Sequence, residues 1–587
     1  MAMKRPKSSI PKNGTTPKKS RLTQKASPAA PATSEHESVD FYKAHFETDL
    51  EDHVTLKLGQ GADKTRTELK GATKEVFEGY SVTVNGTGAR THDTDVTDVR
   101  SISEFGLVPK VVENFEKKQK KPVSREQLEL FQAIGRYMDV SCVSKRRDYL
   151  PLICLHIVNH MTRTRETIVK NNALLAKATA SNTLTEEIID SCRDQGLTRP
   201  RILYLAPMMK HAHAFVHQLA ATVFAPGERH TLMNLSRFEE EFGDDGNVAS
   251  ANRPVDYQEV FSGNIGDNFR LGIQFAKKAL KLYQKFDEAD VLVASPLGLR
   301  MIIGEEGEKN REIDFLSSIE IVVVDWAHVI SMQNWEHLQS IMQVLNGVPS
   351  ALTVDISRVR NWATQNLGKF YRQTLIFSEL NFTELQVLYA QSCSNYAGGV
   401  SIVENPKSLL ENIEKPLTQE FHRFECERPE DQSDLRFEYF TRNILPHLDS
   451  GTMIFVPSYF DFIRLRNYFK KENLSFLQLH EYAKDKKVLR ARNMFYKRYR
   501  KFIVMTERFH FYKRFVIKGV TSLVFYQLPT NPHFYHELIN SSTAETRLDS
   551  RVIFSKFDVI RMQGIFGKPQ TKQMIKADEK YHVLVSE

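Results

Sequence analysis

From Ser124 onward the chain alternates short apolar runs with stretches in which apolar residues recur at helical spacing. SREQLELFQAIGRYMDV reads as a helix with Ser124 as its N-cap and Leu128, Phe131 and Ile134 on one face. Seven runs then follow: ILYLAP (202–207), DVLVASP (290–296), IEIVVVD (319–325), QTLIFS (373–378), GTMIFVPS (451–458), KFIVMTE (501–507) and SLVFYQLP (522–529). Each is β-branched or aromatic and ends on a polar residue or proline. Continuous apolar strands with helices between them predict an α/β protein with parallel sheets covered on both faces. Ligands in such sheets sit at the carboxyl ends of the strands.

Ahead of Ser124 the texture is different. Residues 41–122 hold few apolar positions, a turn signal NGTG (Asn85 to Gly88) and a basic run KKQKK (Lys117 to Lys121), which predicts a poorly packed extension. Within it, GQGADKT (Gly59 to Thr65) superficially suggests a phosphate loop. Leu58 and Asp63 stand at the two glycine positions such a loop requires, and a carboxylate there would repel phosphate, so the segment reads as an ordinary loop. The main fold is expected as one lobe over 123–400 and a second over 401–587.

Composition refines this division. A chain of 587 residues is too long for one core, its 41% hydrophobic content suffices for packed interiors, and no apolar run approaches the roughly 20 residues of a bilayer span, so no membrane role is expected. Five scattered cysteines without a CxxC pair argue against disulfides or a zinc ribbon and fit a reducing, intracellular compartment. The net charge of +8 is concentrated in residues 1–34, which carry eight cations and no acid; without them 72 lysines and arginines face 72 acids. That tail, rich in Lys, Pro, Ser and Thr, is expected to be disordered over 1–40. Its KRPK and KKSR clusters (Lys4, Arg5, Lys7, Lys18, Lys19, Arg21) suit a nuclear address or a nucleic-acid arm; a merely solubilising tail is the alternative.

The order of strand ends is informative. ILYLAP, VLVASP, VVVDWAH and RQTLIFS, followed by a second block opening on MIFVPS, resemble the two RecA-like lobes of DEAD-box RNA helicases, whose signatures at these places are PTREL, TPGR, DEAD, SAT and IFxxT. The chemistry of those signatures is lost. Between Arg136 and Gln195 there is no glycine to build a phosphate cradle, and the only Gly-Lys pairs, Gly368-Lys369 and Gly567-Lys568, are followed by Phe370 and Pro569. Asp325 stands where a helicase holds magnesium, but Trp326 replaces the carboxylate that would orient water, and His328 replaces the last acid. Ser378 begins Ser-Glu-Leu in place of SAT, and YHELINSS (535–542) stands where arginine fingers are expected. The lobes are therefore read as degenerate, with no catalytic residue, no metal and no cofactor.

The long blocks NFRLGIQFAKKALKLYQKF, ASPLGLRMIIGE, DISRVRNW, VPSYFDFIRLRNYF, TERFHFYKRF and QLPTNPHFYHELIN, running in order from about 265 to 540, resemble the digestive organ expansion factor family, also called small nucleolar RNA-associated protein 25. The resemblance implies a nucleolar, non-catalytic, helicase-like component of the small-subunit processome. It implies as partners pre-rRNA, the U3 small nucleolar ribonucleoprotein and other processome proteins, and a part in pre-rRNA processing and small ribosomal subunit biogenesis. The competing expectation is an ATP-dependent RNA helicase with a diverged nucleotide site.

Binding candidates come from charge and rings together. Residues 495–515, FYKRYRKFIVMTERFHFYKRF, interleave seven cations (Lys497, Arg498, Arg500, Lys501, Arg508, Lys513, Arg514) with eight aromatics and one acid. Cations contact phosphates and exposed rings stack on bases, so the run suits single-stranded RNA. It equally suits a protein interface or a buried strand with solvated flanks. Arg300, after the TPGR-like turn, is a further RNA-backbone candidate. Two motifs are set aside. His213 and His217 of HAHAFVH lie one helical turn apart, as zinc ligands can, but no glutamate follows His213 as in HExxH, so ordinary helix histidines are expected. NWEH (334–337) lacks a nearby nucleophile and reads as a turn and helix start.

Overall fold

The apolar runs become strands because their side chains are buried on both faces, and the chain arranges them into two sheets. The computed structural model describes residues 40–59, 65–68, 79–86, 101–119, 121–145, 148–225, 231–305, 307–308, 311–352, 354–542 and 548–586. The basic tail, with its six candidate targeting residues, lies outside them, as do residues 60–64 of GQGADKT.

The first sheet has the spatial order Thr65–Glu68, Tyr80–Gly86, Gly399–Glu404, Asp139–Val143, Gln373–Ser378, Ile321–Val324, Ile202–Leu205, Val291–Ala294, Arg270–Phe275, Ala279–Leu282, Thr231–Met233. Its six strands from Gly399–Glu404 to Val291–Ala294 are parallel, and antiparallel strands join at both margins. The second sheet runs Phe476–Leu479, Phe502–Thr506, Thr452–Val456, Ser522–Phe525, Leu548–Phe554, Leu417–Arg423, Tyr581–Ser586, with only the last antiparallel. Helices cover both faces, and each sheet has an apolar cluster on either side. This is the doubly wound, RecA-like α/β arrangement expected, and all seven anticipated strands are present.

Three expectations need correction. The helix after Ser124 is capped as read, with reciprocal bonds between Ser124 and Gln127, but it ends at Gly135. Tyr137 turns the chain at φ 60°, and Asp139–Val143 is a strand, not the helix's continuation. The Asp139 carboxylate fixes that turn by accepting the backbone N–H groups of Thr374 (2.7 Å) and Asn395 (3.0 Å). Second, the first lobe extends past 400, since Gly399–Glu404 pairs with its sheet.

Third, the segment 41–122 is not poorly packed where it is described. Tyr42, Phe46, Ile102, Phe105, Val111, Val112 and Phe115 are members of the first lobe's core, and Tyr80–Gly86 is a strand of its sheet. The His45 ring lies between Tyr137 (5.2 Å) and Tyr396 (4.6 Å), and Trp362 Nε1 donates to Phe46 O (3.2 Å). Tyr42 OH accepts from Arg360, which also pairs at 2.6 Å with the buried Glu320. Burial alone would raise the Glu320 pKa, but the Arg201 and Arg360 guanidiniums outweigh it and hold the acid well below its usual range. The density of apolar residues in this segment is low, but its described phenylalanines and tyrosines belong to the core or pack against it.

Phe46, 1% exposed, tests this integration. Phe46→Ala should destabilise the first lobe by about 3–5 kcal/mol through lost burial and a cavity. Thermal unfolding at wild-type temperature would show that the segment merely rests on the lobe.

Candidate functional site

The Ile321–Val324 strand delivers Asp325 to the carboxyl edge of the first sheet, where its N–H donates to Leu205 O (2.9 Å). Asp325 is 3% exposed, and its carboxylate is held by three of the protein's own donors. Tyr204 OH donates to Oδ2 (2.6 Å), Tyr149 OH to Oδ1 (3.0 Å), and the Trp326 N–H also to Oδ1 (2.8 Å). Tyr204 comes from the neighbouring strand with its ring stacked on Phe215 (3.8 Å). Burial first, and then the Asp325 charge, push its phenol pKa far up, so it stays a donor.

Tyr149 immediately precedes the long helix Leu150–Ala180 and stacks on Phe377 (4.1 Å). In a phosphate-loop NTPase the space between the first strand, this helix start and the acid holds phosphates and magnesium. Here the Tyr149 side chain bridges it. The recess beside the loop, lined by Cys142, Ser144, Asp148 and Tyr149 among others, amounts to about 40 Å³, against about 300–1,000 Å³ for ligand pockets. A larger cleft of about 590 Å³ lies between the lobes, lined among others by Lys145, Glu379, Glu404, Lys407, His533 and Lys568, and Asp325 does not line it. There the Lys145 ammonium is 3.3 Å from His533 Nε2; burial first, then this cation, hold the imidazole down at about 4.

The other degenerate positions are equally engaged. Trp326 adopts φ 54°, unusual for a bulky residue, and begins the helix Ala327–Gln333. Its indole stacks on His211 (4.2 Å) and packs against an apolar cluster to which both lobes contribute. His328 Nδ1 accepts the Glu379 N–H (3.1 Å), and its Nε2 faces the Glu379 carboxylate at 3.5 Å. Ser378 Oγ donates to Leu380 O (2.6 Å). The former DEAD and SAT strand ends are thus tied to each other by an imidazole. Sequence reading located these positions but not the two tyrosines, which no motif marks.

The cationic run 495–515 is divided between opposite ends of the Phe502–Thr506 strand. At the amino end, Tyr496, Lys497, Arg498, Tyr499 and Arg500 are exposed, and Lys501 is half-buried beside Phe502. The Arg498 guanidinium also lies over Gly451 (φ 93°), where any Cβ would collide with it. At the carboxyl end, the helix Glu507–Lys513 meets the first lobe. Arg508 Nε and Tyr512 OH both donate to Met332 O (3.0 and 3.2 Å), and Tyr257 OH donates to Tyr512 O (3.0 Å).

Arg514 is 4% exposed, bound to Glu537 (2.8 Å) and to Asp256 of the first lobe (2.6 Å). Lys513 pairs with Asp485 (3.0 Å). Arg508 and Arg514 are therefore interlobe residues in this arrangement, and they do not share a surface with Lys497, Arg498 and Arg500. Arg300 is half-buried and bonds Gly304 O at the end of its own helix, Pro296–Ile303. NWEH behaves as expected, with Asn334 capping the helix Trp335–Val344. Among the described residues, one His/Glu group is spaced to hold a metal ion; it joins His213 and His217 to Glu239 and does not include Asp325.

Fold and site together define a two-lobed α/β protein in which Asp325, His328 and Ser378, at the carboxyl ends of the first sheet's strands, are engaged by the protein's own groups. Residues 136–400 match the family model "UTP25, NTP hydrolase-like domain" and residues 409–584 match "Utp25, C-terminal domain". The chain is 40% identical to the U3 small nucleolar RNA-associated protein 25 homolog of Xenopus tropicalis over 478 residues, 78% of this chain and 62% of that one. It is 38% identical to the Homo sapiens homolog (80% and 64%) and 37% identical to U3 small nucleolar RNA-associated protein 25 of Schizosaccharomyces pombe (82% and 74%). It thus spans less than two thirds of the two vertebrate relatives' length. Solved structures similar to it include the yeast DEAD-box splicing factor Prp28, with 14% identity, 82% and 86% of the two chains covered, and a TM-score of 0.31. The chain belongs to the U3 small nucleolar RNA-associated protein 25 family.

Tyr204→Phe removes one donor from the sealed carboxylate and nothing else. It should lower stability by about 1–3 kcal/mol, the loss expected for a buried charge deprived of a hydrogen bond. Denaturant unfolding indistinguishable from wild type would show that Asp325 does not depend on the phenol.

Proposed function

We propose that this protein is a non-catalytic, helicase-like component of the nucleolar small-subunit processome, serving pre-rRNA processing and small ribosomal subunit biogenesis. The observation that carries the non-catalytic reading is the sealing of Asp325 by Tyr149 and Tyr204, with Trp326 turned into interlobe packing. An acid held inside the protein by two phenols and an amide is not presented to a magnesium–phosphate complex. The relatives' names, which associate them with U3 small nucleolar RNA, support the assignment to that particle and to the nucleolus. In this reading U3 ribonucleoprotein, pre-rRNA and other processome proteins are the partners.

RNA contact falls on the amino-end surface of the second lobe, where Tyr496, Lys497, Tyr499 and Arg500 project into solvent. Exposed rings beside cations are the elements of sequence-tolerant single-strand binding. The basic clusters at Lys4, Arg5, Lys7 and at Lys18, Lys19, Arg21 supply a nuclear address.

Two measurements on the purified full chain test this reading. Equilibrium binding of Mg-ATP and RNA-stimulated hydrolysis should both stay at background; tight ATP binding abolished by Asp325→Ala would overturn it in favour of a diverged helicase. Lys497→Glu with Arg500→Glu should weaken binding to single-stranded RNA at least about tenfold and flatten its salt dependence by about two phosphate contacts, at unchanged melting temperature. Unaltered RNA affinity would remove this surface from the function.

A further inference from the structure

A cluster of metal-ligating side chains lies on the first lobe and does not include Asp325. The helix Met209–Val223 presents His213 and His217 one turn apart, and the helix Leu235–Phe242 lays Glu239 across them. His213 Nε2 is 2.8 Å from Glu239 Oε2, His217 Nε2 is 2.8 Å from Oε1, and the two nitrogens are 3.1 Å apart. The His213 ring is nearly parallel to Phe238 (5.5 Å, 7°), which fixes the direction of its nitrogen. The neighbouring Glu241 is taken up by Tyr283 OH (2.8 Å) and by Arg237, so Glu239 alone of the two faces the histidines.

Zinc ligands lie about 2.0–2.1 Å from the ion, and at angles between a right angle and the tetrahedral value their mutual separations are about 2.9–3.4 Å. The contacts of 2.8, 3.1 and 2.8 Å run from one carboxylate oxygen through the two nitrogens to the other oxygen, and one ligand atom from each of the three residues lies within 4.8 Å of the others, so a small side-chain movement closes such a triangle. Two imidazoles and one carboxylate select a borderline ion such as zinc over the hard cations magnesium and calcium, which prefer all-oxygen shells. We propose that His213, His217 and Glu239 bind one zinc ion, with water completing the shell, and that the ion staples the helix Leu235–Phe242 to the helix Met209–Val223. No acid follows His213 in the sequence as in HExxH; Glu239 arrives instead from the next helix.

The test is zinc titration of the chelator-stripped full chain, followed by cobalt(II) as a spectroscopic probe. One zinc should bind per folded chain, at least about 100-fold more tightly than in His213→Ala/His217→Ala, and cobalt should give a four- or five-coordinate visible spectrum without thiolate charge transfer. All five cysteines are buried, so thiolate bands would report unfolded protein and count against the site. Glu239→Gln, which keeps the side chain's shape, should weaken binding at least about tenfold, so the proposal stays testable if the double variant folds poorly. Equal zinc affinity in wild type and Glu239→Gln, or absence of saturable binding to wild type, overturns it.

Discussion

A carboxylate carried to the end of a buried strand must be compensated, because removing it from water costs several kcal/mol unless its lone pairs find donors. The compensation of Asp325 by Tyr149 and Tyr204 shapes everything around it. Tyr149 has to stand at the start of the long helix, the place where a glycine-rich loop would otherwise wrap phosphates. A loop that satisfies the acid from within and a loop that admits a triphosphate exclude one another. The adjacent position carries an indole, and Trp326 takes on about 1 kcal/mol or more of left-handed backbone strain to place it against the apolar cluster that the two lobes share.

The same exchange recurs between the lobes. Met208, Val329 and Met332 of the first lobe share an apolar cluster with the second, and Phe261 packs on Phe511 (5.2 Å) and Tyr512 (5.9 Å). Around this core, Arg508, Tyr512 and Tyr257 bond backbone carbonyls across the boundary, and Arg514 joins Asp256 to Glu537. A ligand shifts a conformational equilibrium only by its differential affinity for the two states. The more of these contacts one arrangement of the lobes makes, the larger the differential affinity a ligand would need to shift it.

The strands of both sheets were legible because parallel strands buried on two faces leave uninterrupted apolar runs, from ILYLAP to SLVFYQLP. Asp139–Val143 was not, since five residues following a helix with no break in apolar character fit either period. The core role of Tyr42, Phe46 and Phe115 was hidden by the polar residues around them, although aromatic rings dominate burial per residue. At the candidate site, the departure of Asp325, Trp326 and His328 from the DEAD pattern could be read from residue types alone. What replaced it could not, because Tyr149 and Tyr204 lie 176 and 121 positions from the acid they seal. The charged run likewise concealed its division, since composition does not say which side of a strand each half will occupy.

That division bears on how the amino-end surface is understood. The helix Asp485–Tyr496 ends there in a Schellman turn: Arg498 N–H bonds Phe495 O (2.9 Å) and Tyr499 N–H bonds Met494 O (3.0 Å), with Arg498 in the left-handed conformation usually given to glycine. Cations at a helix C-terminus are stabilising by about 0.3–1 kcal/mol, so one or two of these residues are accounted for by the helix itself. Arg498 also covers Gly451 and so contributes to packing at the start of a neighbouring strand. The remaining charge at Lys497 and Arg500, and the Tyr496 and Tyr499 rings at 59% and 64% exposure, exceed what the turn requires. Stability would be served as well by a glycine turn with polar flanks. The excess of cation and ring on one face, away from the interlobe contact, is what an anionic, stacking partner such as single-stranded RNA would use.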